Sequence, residues 1–332
     1  MERRPKIDAH NHLGRWLSSW VGRDGDWVIS DVGALLALMD DQGIEAIVNL
    51  DGRWDAELEA NLDRYDRAHP GRFATFAHAD WTVLERAPAR AGELLAEQLR
   101  RAKDAGAKGL KVWKDLGLGV AEDRGALVLP DDPRLAPLFA AAGELDLPVL
   151  IHTADPVAFW LPLDDANERL QELRRHPEWW FGDSTKYPNY AKLMASFTHL
   201  VASHPGTTFI GAHVCSAAEN PQAVAGWLSA FPNLHCDISA RLGELGRRPA
   251  AAAALIARFP DRVLFGTDAF PPTADMYALH VRALESADAG FAYSADPDDP
   301  APQGDWTISG LALPPERLAP LYRDNARRLI AF

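Results

Sequence analysis

Eight short apolar runs rich in β-branched residues punctuate the chain: Lys6–His12, Ala46–Asp51, Phe73–Asp80, Gly109–Lys114, Pro148–Thr153, Thr208–His213, Asn233–Ser239 and Arg262–Asp268. Most are separated by stretches with helical character, among them Ser30–Gln42, Ala89–Ala105, Arg134–Leu145, Gln222–Phe231 and Ala250–Phe259. Gly43 and Pro260 mark two of the helix exits, and Pro221 and Pro249 stand where proline is tolerated at a helix start. Strands alternating with amphipathic helices predict βαβ units and a parallel sheet. Eight such units over about 270 residues predict a (β/α)8 TIM barrel of class α/β. A doubly wound open sheet is the runner-up. It usually places a Gly-rich phosphate turn after its first strand, and here that turn reads His10-Asn11-His12-Leu13-Gly14.

The spacing breaks once. Strand five ends near Thr153 and strand six begins near Thr208, so Ala154–Ser203 predicts an elaborated loop with helices of its own, rich in aromatics such as Trp160, Trp179 and Tyr190. The stretch Phe291 to Gly310 is rich in Asp, Pro and Gly and predicts irregular structure. Residues 1–332 are expected to form a single barrel domain.

Composition narrows the function classes. The 332 residues carry 34 basic and 47 acidic side chains, a net charge of −13, which argues against a nucleic-acid or anionic-membrane surface. Hydrophobic residues make up 47%, enough for a substantial core. The two cysteines, Cys215 and Cys236, form no disulfide framework. Neither a signal peptide nor an apolar run of about 18 residues is visible. The expectation is a cytoplasmic enzyme whose partner is a small-molecule substrate, with no nucleic acid, no membrane and a homodimer as one option.

The chemistry concentrates at strand ends. His10 and His12 lie two apart on the first strand and so share a face. His152 closes strand five, His213 strand six and Asp268 strand eight. A barrel gathers these ends at one rim, where active sites are built. Four imidazoles and a carboxylate there make a ligand set for a divalent cation with a position left open for water.

The pattern Ile7-Asp8-Ala9-His10-Asn11-His12, the strand-end His152 and His213, Gly266-Thr267-Asp268 and the closing Asn325-Ala326-Arg327-Arg328-Leu329 resemble the amidohydrolase superfamily. The resemblance runs from residue 6 to 330 and is nearest to the amidohydrolase-related branch that includes aminocarboxymuconate semialdehyde decarboxylase-like enzymes. It implies a mononuclear site in which His10, His12, His152 and Asp268 bind one Zn2+, with Mn2+ as a second option. It also implies that His213 stands beside the reacting group as an acid/base or polarising residue, and that Asp268 doubles as the catalytic base. Lys111 opens a variant: in binuclear superfamily members a strand-four lysine is carboxylated and bridges two ions. Its alternative role is to bind a substrate carboxylate or pair with a buried acid.

Other rim residues have two readings each. Arg241 shares a strand-seven face with Asp237 and Ser239 and is either an anion clamp or a surface arginine. His78 and Asp80 are either a ligand-orienting pair or core polar residues, and Asp51 and Arg53 at the end of strand two are equally ambiguous. Many of the 11 tryptophans fall at strand ends, so Trp113 and Trp160 are taken with Lys111 and Arg241 as substrate-binding candidates.

Three functions follow. The first is metal-dependent hydrolysis of an ester, lactone or amide bond of a small, anionic or cyclic substrate. The second is metal-dependent non-oxidative decarboxylation. Decarboxylase relatives tend to follow the strand-six histidine with a Gly-rich turn, whereas His213 here is followed by Val214-Cys215-Ser216. The third is a catalytically silent metal-binding barrel.

Overall fold

The computed structural model describes residues 4–122, 125–294 and 303–332. Eight parallel strands run in the order β1 to β8: β1 Lys6–Asn11, β2 Ile44–Asn49, β3 Phe73–His78, β4 Gly109–Val112, β5 Val149–Ile151, β6 Phe209–Gly211, β7 Leu234–Asp237 and β8 Val263–Leu264. Hydrogen bonds from Ala9 N to Phe265 O (2.9 Å) and from Asp268 N to His10 O (2.8 Å) join the last strand region to the first. The sheet is thereby closed into a (β/α)8 barrel.

The surrounding helices are α1 Val32–Gln42, α2 Asp55–Leu62, α3 Ala91–Ala105, α4 Ala136–Glu144, α5 Tyr190–Ser203, α6 Pro221–Ala230, α7 Pro249–Arg258 and α8 Ala274–Glu285. Their ends follow local chemistry. Asp31, Asn189, Asn220 and Thr273 cap helix N-termini through their side chains, and α1 stops at Gly43, whose φ is +68°. The stretch between β5 and β6 holds a 3-10 turn at Val157–Trp160 and a short helix at Leu170–Arg175 before α5. Part of the predicted irregular stretch, residues 295–302, lies outside the described residues; on either side of it Phe291 and Ile308 form an antiparallel bridge. Among the described residues no helix is long and apolar enough to cross a membrane.

Each strand changes character along its length. The barrel interior begins with a buried apolar cluster containing Ile7, Ala9, Val48, Phe76, Leu150 and Leu264. Ala326 and Ile330 of the C-terminal segment join the same cluster. Two residues further along the same faces come polar groups: His78 after Phe76 and His152 after Leu150, with Asp268 four beyond Leu264. The β1 pairing shifts register between Asp8 and Asn11, where three steps on β1 match two on β2. Such a bulge reverses the alternation, so Ile7 and Ala9 face the interior below it and His10 and His12 face the interior above it. The Asn-Ala ending has a structural reason: Asn325 Nδ2 donates to Pro260 O (2.9 Å) and Val263 O (2.8 Å), tying the last helical segment to the start of β8.

Candidate metal centre

The strands end earlier than their apolar runs, and the polar residues sit just past the last strand residues, where single inter-strand bonds such as His152 N to Val112 O (2.9 Å) persist. His152 follows Ile151, His213 lies two beyond Gly211, Ser239 two beyond Asp237, and Asp268 four beyond Leu264. Past the regular strands, the backbone at several of these positions leaves the extended conformation and aims side chains across the rim. His213, Val214, Cys215 and Ser216 all have φ near +55° and Asp268 has φ +55°. Non-glycine residues in this region cost roughly 1–2 kcal/mol each, so neighbouring contacts must hold the turn. They do: His213 N donates to Asp237 Oδ1 (2.9 Å), Ala154 N to Ser216 Oγ (3.1 Å), and Tyr190 OH to Ser216 O (2.7 Å). Gly266 solves a packing problem, since a Cβ there would lie 2.9 Å from His10 Cβ.

Every ring except that of His152 is turned the same way. His10 Nδ1 donates to Asp237 Oδ2 (2.8 Å), His12 Nδ1 to Asp51 Oδ1 (2.6 Å) and His213 Nδ1 to Ser239 O (3.0 Å). A carboxylate or carbonyl oxygen can only accept, so Nδ1 carries the proton and each Nε2 keeps a bare lone pair. His12 Nε2 lies 3.5 Å and His10 Nε2 3.8 Å from Asp268 Oδ1; His213 Nε2 lies 3.9 Å from Asp268 Oδ2. His12 Nε2 and Asp268 Oδ1 are buried and have no hydrogen-bond partner. Orphaned acceptors that close together are costly unless something positive joins them.

His10, His12 and Asp268 offer ligand atoms within 4.8 Å of one another, a donor set of two imidazoles and a carboxylate that fits a divalent cation. A second grouping of His10, His213 and Asp237 is different in kind. Asp237 already receives His10 Nδ1–H, His213 N–H and the Ser239 hydroxyl (2.6 Å), and is better described as a hydrogen-bond hub. His152 stands next to the set, with ring centroids 4.3 Å from His213 and 5.4 Å from Trp113. Its Nε2 faces Asp155 Oδ1 at 3.2 Å, while its buried Nδ1 has no partner.

Electrostatics agree with neutral imidazoles. Burial pushes His10 and His213 well below the ordinary histidine value, with neighbouring Lys111 and His152 respectively adding to the effect. His152 is lowered to about 4, chiefly by burial. Burial raises Asp268 to about 6, against the pull of His12 and Lys111. Lys111 is buried, with Nζ 3.4 Å from His10 Nε2; burial lowers it to about 8. For Asp155 burial acts upward, but Lys114 at 2.5 Å and His152 hold it far below the carboxylate range.

A cavity of about 140 Å³ opens over the site, lined by Trp113, His152, Phe159, His213, Arg241 and Asp268 among others. Trp113 is thus a wall of the cavity, its ring 5.5 Å from that of His12. Arg241 is buried, 3.9 Å from Asp155. Trp160 is placed elsewhere. It packs against Phe181 (5.1 Å) and Tyr190 and donates Nε1–H to Pro188 O, and its neighbour Phe159 takes the cavity face. Sequence reasoning left Asp237 and Ser239 without a role of their own and Asp51 between orienting a ligand and core packing; in the structure the three orient His10, His213 and His12.

The amidohydrolase family model matches residues 7–332. The chain belongs to the amidohydrolase family. No protein of curated function matches the sequence of this amidohydrolase closely enough to count as a relative. Among solved structures it is similar to 2,6-dihydroxybenzoate decarboxylase from Rhizobium, at 19% identity and TM-score 0.59 over 98% of each chain. It is also similar to an amidohydrolase from Burkholderia multivorans solved with bound zinc (17% identity, TM-score 0.59, 98% of this chain and 99% of that one). A third likeness is to a dihydroxybenzoic acid decarboxylase from Polaromonas sp. with bound manganese and 2-nitroresorcinol (18% identity, TM-score 0.54, 91% of this chain and 94% of that one). At these identities the likeness is one of fold.

Proposed function

We propose that this amidohydrolase is a metal-dependent hydrolase that cleaves an ester, lactone or amide bond of a small substrate at a mononuclear site. The observation that carries the reading is the charge balance of the cavity over the site. Its three cations, Lys114, Arg169 and Arg241, are matched by three acids, Asp155, Glu172 and Asp268. Lys114 pairs with Asp155 at 2.5 Å, Arg169 with Glu172 at 2.9 Å, and Arg241 approaches Asp155 at 3.9 Å. A substrate carboxylate taken by one of these three cations would displace its partner acid, whereas an uncharged ester, lactone or amide carbonyl would leave the pairs intact.

His10 and His12 through Nε2 and Asp268 through Oδ1 would hold the ion, with His152 as the fourth candidate. A bound Zn2+ or Mn2+ supplies Lewis-acid polarisation of the carbonyl and lowers the pKa of water. The protein's own groups handle the proton. Asp268 accepts it from the attacking water through the carboxylate that faces His12 and His213, and returns it to the leaving oxygen or nitrogen. His213, its Nδ1–H fixed on Ser239 O, presents Nε2 as an acceptor that holds the water in line. Trp113 and Phe159 exclude solvent from the cavity wall.

Decarboxylation is the second reading, favoured by the two decarboxylases among the structural neighbours. Turnover in 18O-labelled water separates the two. The hydrolase reading expects one labelled oxygen in the acid product and no release of carbon dioxide. Carbon dioxide release without label would overturn it.

A further inference from the structure

We propose that a second cavity, on the other side of Trp113, is a subsite that binds a carboxylate of the substrate on Arg53. The inference rests on the hydrolase reading for the identity of the substrate as a carboxylate-bearing ester, lactone or amide, but its binding chemistry stands on separate residues. The cavity measures about 350 Å³ and is lined by Arg53, Trp54, His78, Trp81, Lys111 and Asp115 among others, with Trp113 common to both cavities. A molecule reaching over Trp113 would therefore have one end at the metal centre and the other at Arg53.

Arg53 is built in place. Gly52 N donates to Phe76 O (3.1 Å) and His78 N to Arg53 O (2.8 Å), continuing the β2–β3 pairing past the strand end. A side chain at Gly52 would strike Phe76 O at 2.2 Å, and Arg53 itself has φ +55°. Strained non-glycine backbone of this kind gathers at functional sites. The guanidinium carbon lies 4.2 Å from the ring centroid of Trp54 and 4.6 Å from that of Trp16. Two indoles thus fix the plane of the fork without supplying an acceptor.

The remaining partner is a histidine, not an acid. His78 Nε2–H donates to Leu50 O (2.5 Å), so His78 Nδ1 can only accept, and it takes one N–H from Arg53 Nη1 (3.3 Å). Among the described residues no carboxylate lies within 4.0 Å of the guanidinium, and this is its only hydrogen bond. The other cations near the centre are paired, Lys114 with Asp155 and Arg169 with Glu172 and Glu244. Of the two acids lining the second cavity, Asp80 is held by Arg86 (3.0 Å) and Thr82 (2.7 Å). Within the cavity lining that leaves Asp115, whose carboxylate accepts from Leu116 N, opposite Arg53, while Lys111 also feels Asp268, Asp237 and Asp51 at the metal centre. An anion completes the set, and Trp54, Trp81 and Trp113 provide walls for a planar group beside it.

The test uses the metal-loaded protein and benzoate as probe, with benzamide as the uncharged control, both titrated by calorimetry. Arg53→Met keeps the length that stacks on the indoles and removes the charge; Arg53→Lys restores the charge without the fork. The proposal expects benzoate to bind about tenfold or more weakly to Arg53→Met, the loss typical of a charge-assisted hydrogen bond. Arg53→Lys should recover part of that loss, and benzamide should bind all three proteins alike. Equal benzoate affinity in wild type and both variants would overturn the subsite. Arg53-dependent benzoate binding in a protein that turns over no ester, lactone or amide would leave the subsite standing and sink the hydrolase reading. Turnover with no preference for a carboxylate-bearing ester over its methyl ester would do the reverse.

Discussion

Asp51→Asn probes how the imidazoles are aimed. In the native chain the two Asp51 oxygens accept from different donors, Oδ1 from His12 Nδ1 at 2.6 Å and Oδ2 from Gly14 N at 3.1 Å. Both partners are buried. An asparagine has a single acceptor oxygen. If that oxygen stays on His12, Gly14 N–H loses its acceptor. If it turns to Gly14, the amide N–H faces His12 Nδ1 and the ring must carry its proton on Nε2, the nitrogen that faces Asp268. The first outcome strands a buried donor at a cost of about 1–3 kcal/mol. The second removes a ligand lone pair, and loss of such an orienting carboxylate weakens metal affinity about 10–100-fold. That factor corresponds to about 1.4–2.7 kcal/mol. The two outcomes separate experimentally: urea unfolding of the metal-free protein reports the first, and competition for Zn2+ against a chromophoric chelator reports the second. A folded Asp51→Asn protein with wild-type zinc affinity and wild-type stability would refute the argument.

Asp268→Asn should keep the fold and lower turnover by about 10²–10⁴, the usual contribution of a positioned acid/base; activity within a factor of two of wild type, measured on any substrate found, would remove Asp268 from its role. Gly266→Ala places a Cβ 2.9 Å from His10 Cβ, so overpacking should cost about 1–3 kcal/mol in denaturant unfolding and weaken metal binding as well. Unaltered metal affinity would mean that His10 has room to move. His280 lies outside the metal set, buried and lowered from 6.5 to about 4 by desolvation. Because its folded pKa is depressed, its neutral form is favoured above 6.5 and stability is lost as pH falls from 6.5 toward 4. Relative to His280→Leu, the wild type should lose about 1.4 kcal/mol per pH unit across that window; parallel unfolding curves from pH 7.5 to 4.5 would contradict it.

The barrel was legible because a parallel strand buried on both faces reads as an unbroken apolar run. Phe73–His78 and Gly109–Val112 lie within their predicted runs and begin at the predicted residues. The runs overshoot the strands at the C-terminal side for a physical reason. Residues such as His152 and Asp268 lie beyond the regular strands yet still bond to the neighbouring strand, His152 N to Val112 O and Asp268 N to His10 O, and sequence alone does not mark where the regular strand ends. The placement of His10 beside His12 follows from their spacing. The bulge that turns both inward above Ile7 and Ala9 leaves no signature in Ile7-Asp8-Ala9-His10.

Long-range partners were the hardest to read. Asp237 meets His10 across 227 positions, brought together by closure of the sheet, and Asp51 meets His12 across 39, brought together by the pairing of β1 with β2. A usable signal existed: Asp51 and Asp237 each lie at the C-terminal end of a strand, facing the rim that carries the histidines. The left-handed run at 213–216 had no such signal, because it contains no glycine to announce it. Strand-end position is the only sequence argument for Trp160 as a substrate-binding residue, and in the structure Phe159 of the 3-10 turn at Val157–Trp160 lines the cavity over the metal centre while Trp160 packs against Phe181 and Tyr190.

The most direct measurement is the metal content of the purified chain beside its His12→Asn and Asp268→Asn variants, by elemental analysis after dialysis. Convergence of His10, His12 and Asp268 on one cation predicts close to one divalent ion per wild-type chain and a marked loss in each variant. An ion-free wild type that takes up neither zinc nor manganese, or variants that keep the full complement, would contradict it.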